Sequence, residues 1–184
     1  VANQFQQALE YMSKKGRTKL ILDLRDNGGG YMHILIDVAS SLISNNGQKT
    51  LISYAKSKSG DEAFYMKKSK NNDFITKISV LANEYTASAS ECLIGAMLHY
   101  KEKFTASSLV IEKNDEGIAK TYGKGIMQTT YVMLDGSALK LTTAKIFAPD
   151  KQTCIHGIGF VASGDNATER GDSAVLRAVE VLKG

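Results

Sequence analysis

Two serines lie where an apolar strand pattern gives way to an apolar helical pattern, in the stretch NEYTASASECLIGAMLHY (residues 83–100). Hydroxyl side chains at such a junction can cap a helix, because they accept hydrogen bonds from the N–H groups of its first turn. A hydroxyl at the same place can also be a nucleophile, provided that a base removes its proton. The stretch by itself leaves both interpretations of Ser88 and Ser90 open.

The chain contains three histidines that could supply this base: His33, His99 and His156. None of them belongs to a G-x-S-x-G nucleophile motif, and no glycine precedes Ser88. A Ser–His–Asp triad therefore has no support from local motifs.

A lysine can replace histidine as the base when it is uncharged, and a desolvated neighbourhood favours the uncharged form. Lys124 lies between Gly123 and Gly125, and Gln128 follows four residues later and could orient the amine. Flanking glycines allow the backbone to approach other elements closely. The alternative is an ordinary exposed lysine in a glycine loop, which composition alone favours.

A third candidate feature is the stretch LDLRDNGGG (residues 22–30), in which a buried strand pattern ends in three glycines. Backbone N–H groups at such a turn could bind a phosphate or the oxyanion of a tetrahedral intermediate. The phosphate interpretation is weak, since the chain has neither a G-x-G-x-x-G motif nor a Walker lysine motif here. A tight strand-to-helix turn without chemistry is the structural alternative.

Composition narrows the function classes. With 184 residues, 43% hydrophobic and 23% charged, the chain is typical of one globular domain with a sizeable core. The net charge of +4 is modest, and we interpret the basic patch MKKSK (66–70) as a solvated loop, so no nucleic-acid partner is expected. No apolar run approaches the roughly 20 residues of a membrane span. The first residue is Val1 rather than Met, which indicates a mature form or an excised fragment.

The two cysteines, Cys92 and Cys154, have neither the spacing of a metal site nor the number of a disulfide scaffold. We expect Cys92 to be a small buried residue of a helix. Cys154 could pair with His156, because side chains at i and i+2 of an extended segment share a face. No metal and no cofactor are expected.

The elements that must position these residues follow from hydrophobic periodicity. Strands alternate with helices in the first two thirds of the chain, which predicts an α/β fold with a largely parallel, twisted sheet and a strand at 20–25 within it. Asp135-Gly136 predicts a hairpin turn between two later strands. The predicted helices are 2–15, 33–44, the segment after Ser88, and 173–183 with Asp172 as its cap; the predicted strands are 20–25, 50–55, 77–83 and 107–112.

Three of these stretches occur in the same order in the carboxyl-terminal processing (tail-specific) protease family, which the chain resembles over about residues 15–183. Its motifs D-L-R-x-N-x-G-G, S/T-A-S-A-S-E and F-G-K-G-x-x-Q match Asp23–Gly30, Thr86–Glu91 and Tyr122–Gln128. The segment IHGIGFVASGD (155–165) is similar to a further family motif. The resemblance implies a serine endopeptidase with a Ser–Lys catalytic pair on a core like those of ClpP and crotonase, with flanking helices and a C-terminal β-hairpin.

The resemblance also implies roles for individual residues. The nucleophile falls on Ser88, the general base on Lys124, and a glutamine that supports the base on Gln128. The oxyanion would be held by the amide of Ala89 and by a glycine amide of the turn, with Gly29 as first choice and Gly28 as second. Ser90 and Glu91 are interpreted as residues of the first helical turn, where an acidic side chain complements the helix dipole.

The chain departs from the family pattern in several places. His99 stands where many members have an acidic residue, residues 101–121 are longer than usual, and VASGD lacks a proline. No PDZ domain is visible, so residues 1–184 are predicted to be a single protease core from a longer chain. The alternatives are a non-catalytic module that binds peptides or apolar ligands, or part of an enzyme that is inert in isolation. The expected partner is a protein or peptide substrate, with an oligomer also allowed, and the resemblance implies an extracytoplasmic location.

Overall fold

The computed structural model describes residues 1–43, 48–67, 72–100 and 108–184. Four sequence predictions fall partly outside these ranges: the end of the second helix at Ser44, most of the MKKSK patch, the start of the long 101–121 stretch, and the first residue of the strand predicted at 107–112. Of the patch, Lys67 is described and forms an ion pair with Asp37 at 2.6 Å. No helix within the described ranges is both long enough and apolar enough to cross a membrane.

Helices and strands mix in the first two thirds of the chain, as the periodicity predicts, with three strands in succession between the second and third helices. They are α1 (Ala2–Lys14), β1 (Lys19–Asp23), α2 (Met32–Leu42), β2 (Leu51–Ser57), β3 (Glu62–Tyr65), β4 (Lys77–Ala82), α3 (Ala89–His99), β5 (Ser108–Glu112), β6 (Ile126–Val132), β7 (Ala138–Phe147), β8 (Ala167–Thr168) and α4 (Asp172–Lys183). The short strand β3 is absent from the sequence prediction, because polar residues surround it.

The first sheet is parallel, with strand order β1-β4-β5-β8. This confirms the predicted α/β class with a parallel sheet. Its central strand β4 is almost completely buried, as expected of a parallel strand covered on both faces.

β1 is an edge strand of this sheet, so the prediction that it lies inside the sheet is wrong. Its side chains are apolar on both faces because each face packs against a hydrophobic cluster, and not because strands lie on both of its edges. Ile21 packs against the cluster that contains Ala174 and Ala178 of α4, whereas Leu20 and Leu22 belong to the main core. A strand can therefore have both faces covered while one of its edges is free.

The second sheet is antiparallel, with strand order β3-β2-β7-β6. β6 and β7 form the predicted hairpin around Asp135-Gly136, and Gly136 has the positive φ of 84° that such a turn favours. The hairpin projects from the body, since Val132 is 75% exposed and Leu134 is fully exposed at its tip. The chain continues beyond it to β8 and α4.

The core lies between the two sheets around α3, which is buried from Ala89 to Met97. α4 covers the opposite face of the parallel sheet, against Leu81 and Val110. The N-cap of α4 is Gly171 (φ 80°), and Asp172 lies in the first turn, so the predicted capping role of Asp172 is wrong. A carboxylate in the first turn still interacts favourably with the helix dipole.

One ion-pair network joins the carboxyl ends of β1 and β5. The Arg25 guanidinium, just after β1, donates to Asp23 (2.6 Å) and to Glu112 Oε1 at the end of β5 (2.7 Å). Glu112 also accepts from the Gly171 N–H at 2.9 Å, which ties the start of α4 to the same point. Burial opposes the ionisation of Asp23, but its hydrogen bonds and charge attraction with Arg25 outweigh this and lower its pKa. The network joins the ends of β1 and β5 to the start of α4.

We predict that Glu112→Ala lowers the free energy of unfolding by about 2 kcal/mol, because it removes one of the two carboxylate partners of the half-buried Arg25 guanidinium and the acceptor of the Gly171 N–H. The matched control is Glu169→Ala, which removes the ion pair between Glu169 and Lys113 on the surface. An exposed pair of this kind contributes about 0–1 kcal/mol. Urea unfolding of both variants measures the difference, and equal losses would contradict the structural role of Glu112.

Candidate active site

Ser88 adopts a backbone conformation that is rare for a residue with a side chain. Its φ is 59° and its ψ is −120°, at the N-cap of α3. Such a conformation costs about 1–3 kcal/mol and persists only where the surroundings hold it in place; strained residues of this kind cluster at active sites. Ser88, the predicted nucleophile, is thus also the N-cap of α3, and Ser90 lies in the first helical turn, as expected.

The turn that contains Ser88 is bound directly to the glycine turn after β1. Thr86 Oγ1 donates to the Leu24 carbonyl at 2.8 Å, and the Ala87 N–H donates to the Asn27 carbonyl at 3.0 Å. The Asp26 N–H donates to Asn83 Oδ1 at 3.1 Å. These bonds bring the predicted nucleophile and the predicted oxyanion-binding turn to the same edge of the parallel sheet, which is where open α/β sheets bind ligands.

Gly29 is the closest point of contact between these two turns. A Cβ atom on Gly29 would lie 2.7 Å from Ala87 O and 2.8 Å from both Ala89 N and Ser88 Cβ, and its φ of 98° disfavours any other residue. Its own N–H donates to Asn27 Oδ1 at 3.0 Å. Gly28 has open space around the corresponding position.

The loop that carries Lys124 reaches the same edge through its backbone. The Tyr122 N–H donates to the Thr86 carbonyl at 3.0 Å. The glycines beside Lys124 allow close packing, as predicted: a Cβ on Gly125 would lie 2.3 Å from His156 N, and one on Gly123 would lie 3.2 Å from Gly159 N. Lys124 itself is half-buried.

Glu91 joins the turn that ends at Ser88 (residues 83–88, the serine turn) to the loop that carries Lys124 (residues 121–124, the lysine loop). It is 0% exposed, and its Oε2 accepts from the N–H groups of Ser88 (2.9 Å) and Lys124 (2.8 Å). Its Oε1 accepts from Thr121 Oγ1 and from the Gly123 N–H, both at 2.7 Å. Since one oxygen bonds both Ser88 and Lys124, their backbone nitrogens lie within two hydrogen-bond lengths of each other. Within the described residues, no hydrogen bond joins Ser88 Oγ to Lys124 Nζ.

Sequence reasoning underestimated Glu91, which was assigned only to the helix dipole. The S-x-x-E spacing from Ser88 to Glu91 is that of a capping box, and this signal does predict the bond from the Ser88 N–H. No local sequence pattern predicts the three bonds from residues 121–124, because their donors lie 30, 32 and 33 residues from Glu91 along the chain.

The other candidate residues lie away from this contact. Gln128 is exposed in β6, opposite Thr142 and next to an irregularity in the strand pairing. His99 is exposed at the far end of α3, about 16 Å from Ser88 along the helix axis at 1.5 Å per residue. His33 stacks on Tyr31, with ring centroids 5.5 Å apart.

The remaining nucleophile and base candidates are equally unsupported. Burial raises the pKa of the Cys92 thiol to about 12, which leaves it protonated and unreactive at neutral pH. Cys154 is half-buried and His156 exposed, and no hydrogen bond between their side chains occurs in the described part of the chain.

An apolar cavity of about 350 Å³ opens beside the serine turn. Gly29, Ala89 and Ser90 form the wall that faces the site. The rest of the lining is mainly aliphatic and aromatic, from Phe5, Leu22, Leu24, Ile34, Leu35, Val38 and Leu93. A cavity of this size and character fits an apolar side chain of a ligand held at Ser88.

Comparison with known proteins identifies relatives of this chain. The family model described as "Peptidase family S41" matches residues 1–162. The protein named "Probable CtpA-like serine protease" of Staphylococcus haemolyticus is 35% identical over 162 residues, covering 86% of this chain and 29% of that protein. The chloroplastic C-terminal processing peptidase of Tetradesmus obliquus is 35% identical over 144 residues, covering 78% of this chain and 28% of that protein.

Solved structures show the same fold. The photosystem II D1 C-terminal processing protease superposes with a TM-score of 0.70 at 29% identity, over 89% of this chain and 38% of that one. A lipoprotein from Streptococcus agalactiae superposes with a TM-score of 0.64 at 19% identity, over 96% of this chain and 61% of that one. These matches confirm the resemblance to carboxyl-terminal processing proteases. The chain spans less than a third of the length of the curated relatives it matches.

We predict that Gly29→Ala lowers the free energy of unfolding by about 2 kcal/mol or more, because the new methyl group meets backbone atoms and the positive φ is unfavourable for alanine. Gly28→Ala is the control, since nothing lies within 4 Å of the methyl position there, and its effect on stability should stay within about 0.5 kcal/mol. Denaturant titration of the two variants checks this. Similar stabilities would show that Gly29 does not contact the serine turn as described.

Proposed function

Because the chain belongs to peptidase family S41, we propose that it is the core of a serine endopeptidase that hydrolyses peptide bonds through Ser88 and Lys124. The observation that carries this proposal is the shared carboxylate oxygen that holds the Ser88 and Lys124 backbones side by side, with Ser88 in a strained conformation. A lysine side chain extending from that position is long enough to approach the serine hydroxyl once substrate is bound.

The proposed reaction has two halves. In the first, the uncharged amine of Lys124 takes the proton of Ser88 Oγ while the oxygen attacks the scissile carbonyl carbon. The resulting Lys124 ammonium then protonates the leaving amine as the C–N bond breaks, which leaves an acyl-enzyme on Ser88. In the second half, Lys124 removes a proton from water, the hydroxide displaces the serine, and the proton returns to Ser88 Oγ.

The negative charge on the tetrahedral oxygen needs hydrogen-bond donors close to Ser88. Ala89 begins α3, so its N–H has no carbonyl one turn earlier within the helix to bond with. We propose this N–H as one donor and the Gly29 N–H as the other, each contributing about 3–4 kcal/mol to transition-state stabilisation. Because the Gly29 N–H is bonded to Asn27 Oδ1, it must share or exchange this partner, and Gly28 stays the second choice.

Gln128 has a less direct part in the proposal. It lies in β6, which starts two residues after Lys124, and it is exposed toward solvent. Its amide can orient the Lys124 side chain only if the two side chains turn toward each other in the complex with substrate. It is therefore proposed as a supporting residue rather than as a proton carrier.

The apolar cavity supports a preference among substrates. Its wall includes Gly29 and Ala89, the two proposed oxyanion donors, so a substrate carbonyl held there places a neighbouring side chain over the cavity mouth. We propose that this side chain is apolar, since most of the lining is apolar and the Asp23 carboxylate in that lining already pairs with Arg25. The substrate is then a protein or peptide with an aliphatic residue next to the scissile bond.

The relatives' names extend the proposal to location. One of them is described as chloroplastic and others are bacterial CtpA-like proteases, and we propose an extracytoplasmic or organellar setting for this chain as well. A non-catalytic binding module on the same fold is the competing function. The cavity beside Ser88 is as consistent with ligand binding alone as with peptide hydrolysis, so a test of activity at Ser88 must decide between these two functions.

We predict that Ser88→Ala abolishes both peptide hydrolysis and labelling by a fluorophosphonate probe, while the free energy of unfolding falls by only about 0.5–2 kcal/mol, as expected for the loss of an N-cap hydroxyl. Lys124→Arg should lose at least about 10³-fold in kcat/KM, because a guanidinium stays protonated and cannot accept the serine proton. His99→Ala is the control and should keep full activity, given its distance from Ser88. Labelling that persists in Ser88→Ala would remove Ser88 as the nucleophile.

The cavity generates a separate prediction about specificity. Fluorogenic peptides with leucine before the scissile bond should be cleaved at least about 10-fold faster, in kcat/KM, than those with aspartate or lysine there. Ile34→Phe should narrow the cavity and shift the preference toward alanine. Leu176→Phe, on the exposed face of α4, is the matched control and should leave the preference unchanged. Equal kcat/KM values for the leucine and aspartate peptides would show that the cavity does not take part in substrate recognition.

A further inference from the structure

Glu91 differs from every other buried carboxylate that the structure describes in the number and origin of its partners. Four donors surround it, one from the serine turn and three from residues 121–124. Glu112, the other buried glutamate of the described chain, bonds Arg25 and Gly171 and touches neither loop. Among the described residues no positive side chain pairs with Glu91; its partners there are three backbone N–H groups and one hydroxyl.

The four hydrogen bonds use the full capacity of the carboxylate. An ionised carboxylate has about four lone-pair sites, and each oxygen of Glu91 accepts two donors at 2.7–2.9 Å. No site is left to accept a proton from Ser88 or a bond from the Lys124 amine. Glu91 is therefore not a member of the proton relay, although it lies next to it.

We propose that Glu91 is a positioning residue, which sets the register of the Ser88 turn against the Lys124 loop and thereby aligns nucleophile and base. This inference rests on the proposed function. The alignment follows from Oε2, which binds the backbone N–H of both residues at once, so that neither can shift without breaking a bond. It also follows from the strain at Ser88, since the bond from the Ser88 N–H holds that turn in its unfavourable conformation.

The bonds on the other oxygen complete this arrangement. Oε1 holds Thr121 and Gly123, which precede Lys124, so the loop is fixed over the residues that lead up to the lysine. Thr121 Oγ1 in turn accepts from the Phe160 N–H at 2.8 Å, which connects the loop to residues 155–160. A shift in Glu91 would therefore move Lys124 rather than only loosen the helix.

Two substitutions separate positioning from simple stabilisation. Glu91→Asp keeps the charge but withdraws the carboxylate by one methylene, so it cannot bridge both loops. Glu91→Gln keeps the length, and its oxygen can stay on the Ser88 and Lys124 N–H groups while its NH₂ faces Thr121, whose hydroxyl can reverse to accept. The Gly123 N–H and the Thr121 O–H then lose their acceptor. Positioning thus predicts a larger loss of kcat for aspartate than for glutamine.

The experiment measures kcat, KM and urea stability for both variants beside Glu112→Gln, which perturbs a buried carboxylate elsewhere. Glu91→Asp should lower kcat about 100-fold, as a misplacement of about 1 Å does, with KM changed less than threefold. Glu91→Gln should lower kcat less. Glu112→Gln should keep kcat within about threefold of the parent value, even if its free energy of unfolding falls as much as that of Glu91→Asp. Equal kcat losses in Glu91→Asp and Glu112→Gln variants of equal stability would overturn the proposal.

Amide hydrogen exchange provides a readout that does not require turnover. In both Glu91 variants the Gly123 amide should exchange faster than in the parent chain, and in Glu91→Asp the Ser88 and Lys124 amides should as well. Glu112→Gln should leave all three unchanged. A parent chain that neither cleaves peptides nor reacts with the probe would contradict the proposed function, while unchanged exchange in the Glu91 variants would contradict the bridging role itself.

Discussion

One buried carboxylate, whose hydrogen-bond donors come from two separate loops, constrains this structure. The Glu91 carboxylate is completely shielded from water, and an ionised carboxylate in such a place is tolerated only when hydrogen bonds replace its hydration. The donors come from two loops that are far apart in sequence, so folding must bring these loops together to satisfy the charge. The same requirement places Ser88 beside Lys124, which makes the geometry of the candidate active site a consequence of how one carboxylate is solvated.

Close approach of backbones is the second constraint, and glycine meets it. Gly29 lies against the serine turn, Gly125 against His156, and Gly159 against Thr121, where an added methyl group would lie 2.3–2.7 Å from its nearest neighbour. These contacts leave no room for side chains between the loops. The loops can therefore be short, and the site can be built from N–H groups whose directions are fixed by neighbouring strands and by α3.

The parallel sheet supplies the frame for these contacts. The glycine turn and the serine turn both follow strands whose carboxyl ends meet at one edge, and the Arg25–Glu112 network holds that edge to the start of α4. The apolar cavity opens at the same edge because α1 and α2 cover β1 there without filling the space. Candidate chemistry and candidate substrate recognition thus depend on one side of one sheet, while the exposed hairpin of β6 and β7 begins just after Lys124.

The sequence by itself determined the α/β class, most element positions, the hairpin turn and the motifs that carry the family resemblance, because periodicity, turn chemistry and motif spacing are local properties. It also singled out Ser88, Lys124 and the glycine turn as candidates. Tertiary structure alone decided that β1 is an edge strand, that Ser88 is strained, and that Glu91 bonds the lysine loop. These features depend on which distant backbone groups meet, and the hydrogen bonds of a buried carboxylate cannot be assigned to partners until the chain has brought them within about 3 Å.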